Sequence, residues 1–157
     1  MSFTEHFDAY AYEGDAISCE AKGFIVTARI VADDCLDAPD QRQDGFWPSL
    51  YKDAPGFIGP GNSFRQRFAE AQAKAEAVME AWRKSEWFYC GIVLSVERDG
   101  IELDHHAASL WGVECNYPGT DNCYLTTVAN ELLSEALDAG RAAAARLAAT
   151  VTGWAST

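Results

Sequence analysis

Apolar and polar residues alternate with a period of two through AISCEAKGFIVTARIVA (residues 16–32), which puts Phe24, Val26, Ala28 and Ile30 on one face and leaves a turn around Ala21, Lys22 and Gly23. The pattern predicts a hairpin of two strands. A second alternation gathers Phe88, Cys90, Ile92, Leu94 and Val96 on one face, reverses at Arg98, Asp99 and Gly100, and returns through Ile101 and Leu103. A further strand is expected from about Ala107 to Cys115, with Ala107, Ser109, Trp111 and Val113 on one face and Leu110 on the other. Together these read as a three-stranded meander.

The period changes between and after these segments. Along SFRQRFAEAQAKAEAVMEAWRKSEW, the residues Phe64, Phe68, Ala71, Ala75, Val78 and Trp82 recur at three- and four-residue steps and predict an amphipathic helix, with Ser63 as its N-cap. Gln72, Glu76, Glu80, Lys74, Arg83 and Lys84 fall on its solvated side. A second helix is expected from about Asn122 to Ala149, with Leu125, Val128, Ala129, Leu132, Leu133, Ala136 and Leu137 as its apolar face. Pro118 and Gly119 mark the corner before it, and Thr120, Asp121 and Asn122 are capping residues. Residues 33–62 are rich in Asp, Pro and Gly and follow neither period, which predicts a long acidic loop. The expected fold is therefore a single α+β domain spanning residues 1–157. Its antiparallel sheet has about five strands in the order ββ-α-βββ-α, with two helices packed on one face.

The helix, three strands, helix portion follows the order of a double-stranded RNA-binding domain, but Asp99, Glu102 and Asp104 stand where such a domain needs basic residues. Charge makes the same point for the whole chain. The formal net charge is −12, which repels phosphate backbones and anionic lipid surfaces, so neither direct nucleic-acid binding nor membrane binding is expected. The excess is uneven. Residues 1–44 hold ten acids against Lys22, Arg29 and Arg42, a balance of −7, and residues 88–122 hold six against Arg98, a balance of −5. Residues 63–87, by contrast, carry four acids and five bases.

A hydrophobic content of 48% with eight Phe, six Tyr and five Trp is enough to build a core. The opening MSFTEHFDAYAYEGD has no basic region followed by an apolar run, and no stretch is long enough to span a bilayer, so a cytoplasmic location is expected. The five cysteines form no CxxC pair, which argues for reduced thiols over a disulfide framework or zinc ribbon.

Candidate chemistry is sparse. His105 and His106 lie beside Asp104 and near Glu102, but neighbours on a strand point to opposite faces, so a shared metal ion is not expected. His106 with Cys115 or Cys123 is a conceivable nucleophilic pair, Cys123 falling in a first helical turn where the dipole favours thiolate. Phosphate-cradling motifs are absent. No catalytic residue, metal or cofactor is assigned, and the protein is not expected to be an enzyme. Trp47 and Phe57, on the long loop, are candidate interface aromatics. Trp111, if buried, would cost roughly 3 to 5 kcal/mol on truncation to alanine.

The stretch EWFYCGIVLSVERDGIELDHHAASLWGVECNYPGTDNCYLTTVANELLSEAL, together with GFIVTARIVADD, resembles a family of short, uncharacterised acidic proteins encoded by phages, plasmids and genomic islands of proteobacteria. The likeness covers roughly two thirds of the chain, with SLWGVECNYPGTDN its most distinctive string. It implies a mobile-element context and no catalytic residue. With the acidity, that context leads to the expectation of an accessory protein acting through a protein partner: an acidic nucleic-acid mimic that blocks a host restriction or CRISPR complex. The residues expected to form its surface are Asp33, Asp34, Asp37, Asp40, Asp44, Asp99, Glu102 and Asp104. The alternatives are a small hydrolase or metal-dependent enzyme using His106 and Cys115, and a structural or small-ligand-binding module.

Overall fold

The structure, a computed structural model, describes residues 2–34 and 37–156, so Cys35 and Leu36 of the expected loop lie outside the described residues. Its elements run β1 (Ala16–Ala21), β2 (Phe24–Ala32), α1 (Pro39–Arg42), α2 (Phe64–Arg83), β3 (Phe88–Arg98), β4 (Ile101–Cys115) and α3 (Cys123–Ala155). The class is α+β. The strands form a four-stranded antiparallel sheet in the order β1-β2-β3-β4. The chain divides into two compact units, residues 1–34 with 89–157, and residues 35–88.

Both hairpins are made by the residues that the pattern singles out. Lys22 and Gly23 have φ of 52° and 85°, and Asp99 and Gly100 have 52° and 79°. Two successive left-handed residues make the tight turn whose twist matches the flanking strands.

The sheet has four strands where five were expected, because the chain does not reverse between Asp104 and Ala107. The Asp104 carboxylate instead accepts the His106 backbone N–H two residues on, at 2.9 Å, and the extended backbone continues. Two slips of the alternation disguise this single strand. Ala107 and Ala108 are consecutive and both buried, the signature of an extra residue in a bulge. Gly112 then takes φ of 73°, so Trp111 and Val113 do not share a face. Val113 is buried, whereas Trp111 is 44% exposed and lies across β3 at Gly91, where a methyl group would overlap the indole.

In the first unit α3 packs on β4 and β2. Leu125, Val128, Ala129, Leu133, Ala136 and Leu137 meet the buried face that carries Val26, Ala28, Ile30, Ile92, Leu94 and Val96. Gly140 sets how near the helix comes: a methyl there would stand 2.7 Å from a Val96 methyl. The helix runs beyond the expected end to Ala155, as its alanines favour. No helix among the described residues is long and apolar enough to cross a membrane.

Among the described residues the segment before β1 carries no regular element, yet Phe3, Phe7 and Ala11 are buried. Its backbone is held by side chains. The amides of Phe3, Phe7 and Ala11 donate to Asn130 Oδ1 (2.7 Å), Thr126 Oγ1 (3.3 Å) and Asn116 Oδ1 (2.8 Å). Asn122 Nδ2 donates to the carbonyls of Asp8 and Ala9 and to Asn116 Oδ1, while its own Oδ1 accepts the Asn116 N–H. Asn116 and Asn122 both take φ of 64°, a region asparagine tolerates better than most residues. The polar string NYPGTDN thus braces the N-terminal segment against the β4 to α3 corner. Asn122 occupies the N-cap position without a side-chain cap, and Asp121 Oδ1 accepts the Cys123 N–H instead, at 3.0 Å.

The second unit holds the stretch read as a loop. It contains one helical turn, α1, and a parallel bridge between Ser49 and Phe57. Gly45 and Gly56 bring two backbone segments so close that a side-chain carbon on Gly45 would stand 2.8 Å from the Gly56 nitrogen. In α2, Ala75 and Val78 of the expected stripe are buried together with Met79 and Ala81, and Phe64, Phe68, Ala71 and Trp82 are half-buried. Ser63 stands at the N-cap, but its φ of 60° is left-handed and its hydroxyl makes no capping bond, contrary to expectation. Trp87 is 1% exposed and donates its indole N–H to the Val78 carbonyl at 2.9 Å.

Candidate interaction face

The sheet register assembles a set of carboxylates that no single segment contains. Glu20 on β1 pairs with Ile25 on β2, and Ile25 pairs in turn with Glu97 on β3. The two-residue turn at Asp99 and Gly100 sets Arg98 across from Ile101, and so Glu97 across from Glu102 on β4. Glu20, Glu97 and Glu102 therefore share one row with Ile25, which is 41% exposed, and Asp99 stands at the tip beside them. This is the face opposite Val26 and Val96, away from α3.

Glu97 and Glu102 stand directly opposite one another, where like charges are destabilising, and among the described residues no ion pair offsets that cost. Among the described residues, ion pairs join Glu80 to Arg83 and Lys84, and Asp138 to Arg141, each between residues three or four apart in the chain. Arg98, the nearest cation in sequence, lies over the Phe24 ring at 5.4 Å on the α3 side. The next row inward is Ser18, Thr27 and Ser95, with the Ser18 and Thr27 hydroxyls 2.9 Å apart. Arg29 follows, its guanidinium donating to the His105 carbonyl at 3.0 Å.

The eight acids singled out from the sequence divide by burial and bonding. Asp34, Asp99 and Glu102 are exposed in the sheet unit, and Asp37 and Asp44 are exposed in the other unit. Three are committed internally. Asp33 is half-buried and its carboxylate accepts the Gly112 N–H at 2.9 Å, latching the bulge in β4. Asp40 accepts the Trp47 indole N–H at 3.2 Å, and Asp104 holds the His106 amide. Trp47 is half-buried with Phe46 edge-on to it, while Phe57 is exposed. Glu20 and Glu97 were missed. The hairpin turn at Lys22 and Gly23 already implied that Glu20 faces Ile25, but the adjacency of β2 and β3 is not written in any local pattern.

His106 belongs to a surface cluster on β4. Its Nε2 is 2.9 Å from Ser109 Oγ, which also accepts the Trp111 indole N–H at 3.2 Å, and the two rings lie nearly parallel, 6.4 Å apart. Asp104 bonds the His106 backbone amide rather than its ring. Ser109 therefore aligns Trp111 and His106 side by side. Cys115 is not part of this group: it is fully buried, with its sulfur 4.0 Å from the Ala11 carbonyl. Its thiol is hydrogen-bonded to that of Cys90, a bond that, with burial, pushes the Cys90 thiol far up. Among the described residues no group of three or more His, Cys, Asp or Glu side chains is placed to hold a metal ion.

Cys123 departs from expectation in sign. A hydrogen bond to the Asp121 carboxylate, and then that group's negative charge, raises its thiol above the ordinary value, against the pull of the first-turn amides. Alkylation of Cys123 by iodoacetamide at pH 7.5, read by peptide mass mapping, is expected to run slower than that of a free cysteine. Asp121→Asn should speed it several-fold; an unchanged rate would mean the carboxylate does not govern the thiol.

In comparisons with protein-family models, with curated proteins and with solved structures, nothing matched this chain.

Proposed function

We propose that this protein acts through protein–protein contact, offering a carboxylate surface that competes with nucleic acid for a basic channel of a host defence complex. The observation that supports this reading most strongly is the row of Glu20, Glu97 and Glu102, three carboxylates held in register across the sheet with no ion-pair partner among the described residues. Such an arrangement works against folding stability, and a basic partner would turn the same charges into attraction. Asp34 and Asp99 add exposed charge to the same unit. The net charge of −12 supplies long-range steering that salt screens over about 8 Å at physiological ionic strength. The resemblance to proteins of mobile elements sets restriction and CRISPR complexes as the first partners to try.

The test is inhibition of DNA cleavage by purified restriction enzymes and CRISPR effectors, with wild type and with the triple variant Glu20→Lys, Glu97→Lys, Glu102→Lys. Inhibition by wild type should fade between low and moderate salt and vanish in the variant. The variant's melting temperature should not fall, because the reversal removes no hydrogen bond that the row makes. Inhibition that survives the reversal, or no inhibition of any complex, would overturn the proposal. Asp33 is left intact because its bond to Gly112 makes it structural.

A further inference from the structure

Where the turn between β1 and β2 meets α3 there is a cleft of about 440 Å³, a volume within the roughly 300–1,000 Å³ typical of small-ligand sites. Lys22 lines it from the turn, and Arg141 and Asp138 line it from the helix. Leu133 and Leu137, both almost fully buried, are its apolar part, and Asn130 and Ser134 complete the polar lining. The Asp138 carboxylate and the Asn130 side-chain carbonyl are already engaged: the first accepts from Arg141 Nη1 at 2.8 Å, the second from the Phe3 N–H at 2.7 Å. The Lys22 ammonium has no ion-pair partner among the described residues, and it stands at a left-handed position, φ 52°, that glycine or asparagine occupies at less cost. Asn130 Nδ2, the Ser134 hydroxyl and the other guanidinium N–H groups of Arg141 add donors. Arg98 is close by, since a methyl on Gly23 would stand 3.6 Å from its guanidinium. Three of the five lysines and arginines in this unit therefore gather at one end of α3 and the sheet, on a chain whose net charge is −12.

We propose that this cleft binds a small organic monocarboxylate, its carboxylate held between Lys22 and Arg141 and its hydrocarbon chain laid against Leu133 and Leu137. A lining rich in donors whose acceptors are committed calls for a ligand that accepts, and charge-assisted bonds from ammonium and guanidinium groups to a carboxylate are the strong ones. Charge selects one negative group over two. Lys22 and Arg141 against Asp138 leave the lining at +1, and the acidic chain repels a dianion twice as strongly as a monoanion. The leucines and the methylene stems of Lys22 and Arg141 offer apolar surface that a bare inorganic anion does not use. The inference is independent of the row of Glu20, Glu97 and Glu102, which lies on the sheet face away from α3.

The probe is sodium hexanoate, titrated into the intact protein at constant ionic strength and followed by amide NMR shifts. Saturable shifts are expected at the Lys22, Gly23, Ser134 and Arg141 amides and at the Asn130 side-chain amide. Hexanol, which lacks the charge, and acetate, which lacks the chain, should each bind roughly tenfold more weakly. Lys22→Gln keeps much of the stem at an exposed turn and has no ion pair to lose, so it should fold as wild type and weaken hexanoate binding by a similar factor. Arg141→Gln should weaken it further, because Asp138 is then left as an unpaired negative charge beside the ligand. Hexanol or inorganic phosphate binding as tightly as hexanoate, unchanged affinity in Lys22→Gln, shifts that map elsewhere, or no saturation by about 0.1 M ligand would overturn the assignment.

Discussion

Asn122→Ala is expected to lower unfolding free energy by about 4 kcal/mol, because it strands buried carbonyl and amide groups at about 1–3 kcal/mol each and puts alanine in a left-handed conformation that costs about 1–2 kcal/mol. Asn122 is 3% exposed and makes four hydrogen bonds, to the carbonyls of Asp8 and Ala9 and in both directions with Asn116. Losing them unties the N-terminal segment at the point where it crosses the β4 to α3 corner. Urea unfolding gives the energy. Hydrogen exchange gives the location: the Phe3, Phe7 and Ala11 amides should exchange much faster than those of Val26 or Leu94. Asn122→Gly relieves the backbone conformation but not the lost bonds, so it should recover only about 1 kcal/mol of the loss. A loss below 1 kcal/mol for the alanine variant would show that the bracing does not hold the segment.

Trp87→Ala should cost about 3–5 kcal/mol, the range for removing a buried aromatic side chain, and it also leaves the Val78 carbonyl without its indole donor. Trp111→Ala should cost less, about 1–2 kcal/mol, because only part of its apolar area leaves water on folding. The sequence reading set roughly 3 to 5 kcal/mol for Trp111 on condition that its indole is buried. That condition is not met, because Gly112 adopts a left-handed conformation and turns Trp111 off the Val113 face. Paired thermal and urea unfolding of the two variants tests the order; equal losses would mean that the Trp111 indole is as deeply packed as Trp87.

Several elements were legible because near neighbours decide them. Alternation placed β1, β2 and β3, and the pairs Lys22-Gly23 and Asp99-Gly100 located both turns. The helices followed from three- and four-residue spacing. Where local signals competed, the reading failed. Asp104, His105 and His106 look like a turn because polar residues often interrupt strands, yet β4 runs through them with both imidazoles exposed. The bulges at Ala107 and Ala108 and at Gly112 broke the period and concealed one long β4. Ser63 and Asn122 have the composition of N-caps, but their left-handed backbones remove the capping bond.

The candidate surface was legible only in part. Exposed Asp34, Asp37, Asp44, Asp99 and Glu102 were identified from charge, yet charge gave no means to separate them from Asp33, Asp40 and Asp104, whose carboxylates hold backbone or indole N–H groups. A carboxylate engaged in this way and a solvated one are the same letter.

The chain's own order of residues determines strand and helix type, both hairpin turns, the acidity and the apolar faces, since each depends on contacts within a few positions. Tertiary structure alone decides that β2 lies beside β3, and with it the row of Glu20, Ile25, Glu97 and Glu102. It also decides that Asn116 and Asn122 meet the backbone of residues 8–11. These partners are distant along the chain, and the burial that makes their hydrogen bonds and charges matter exists only once the sheet and α3 have come together.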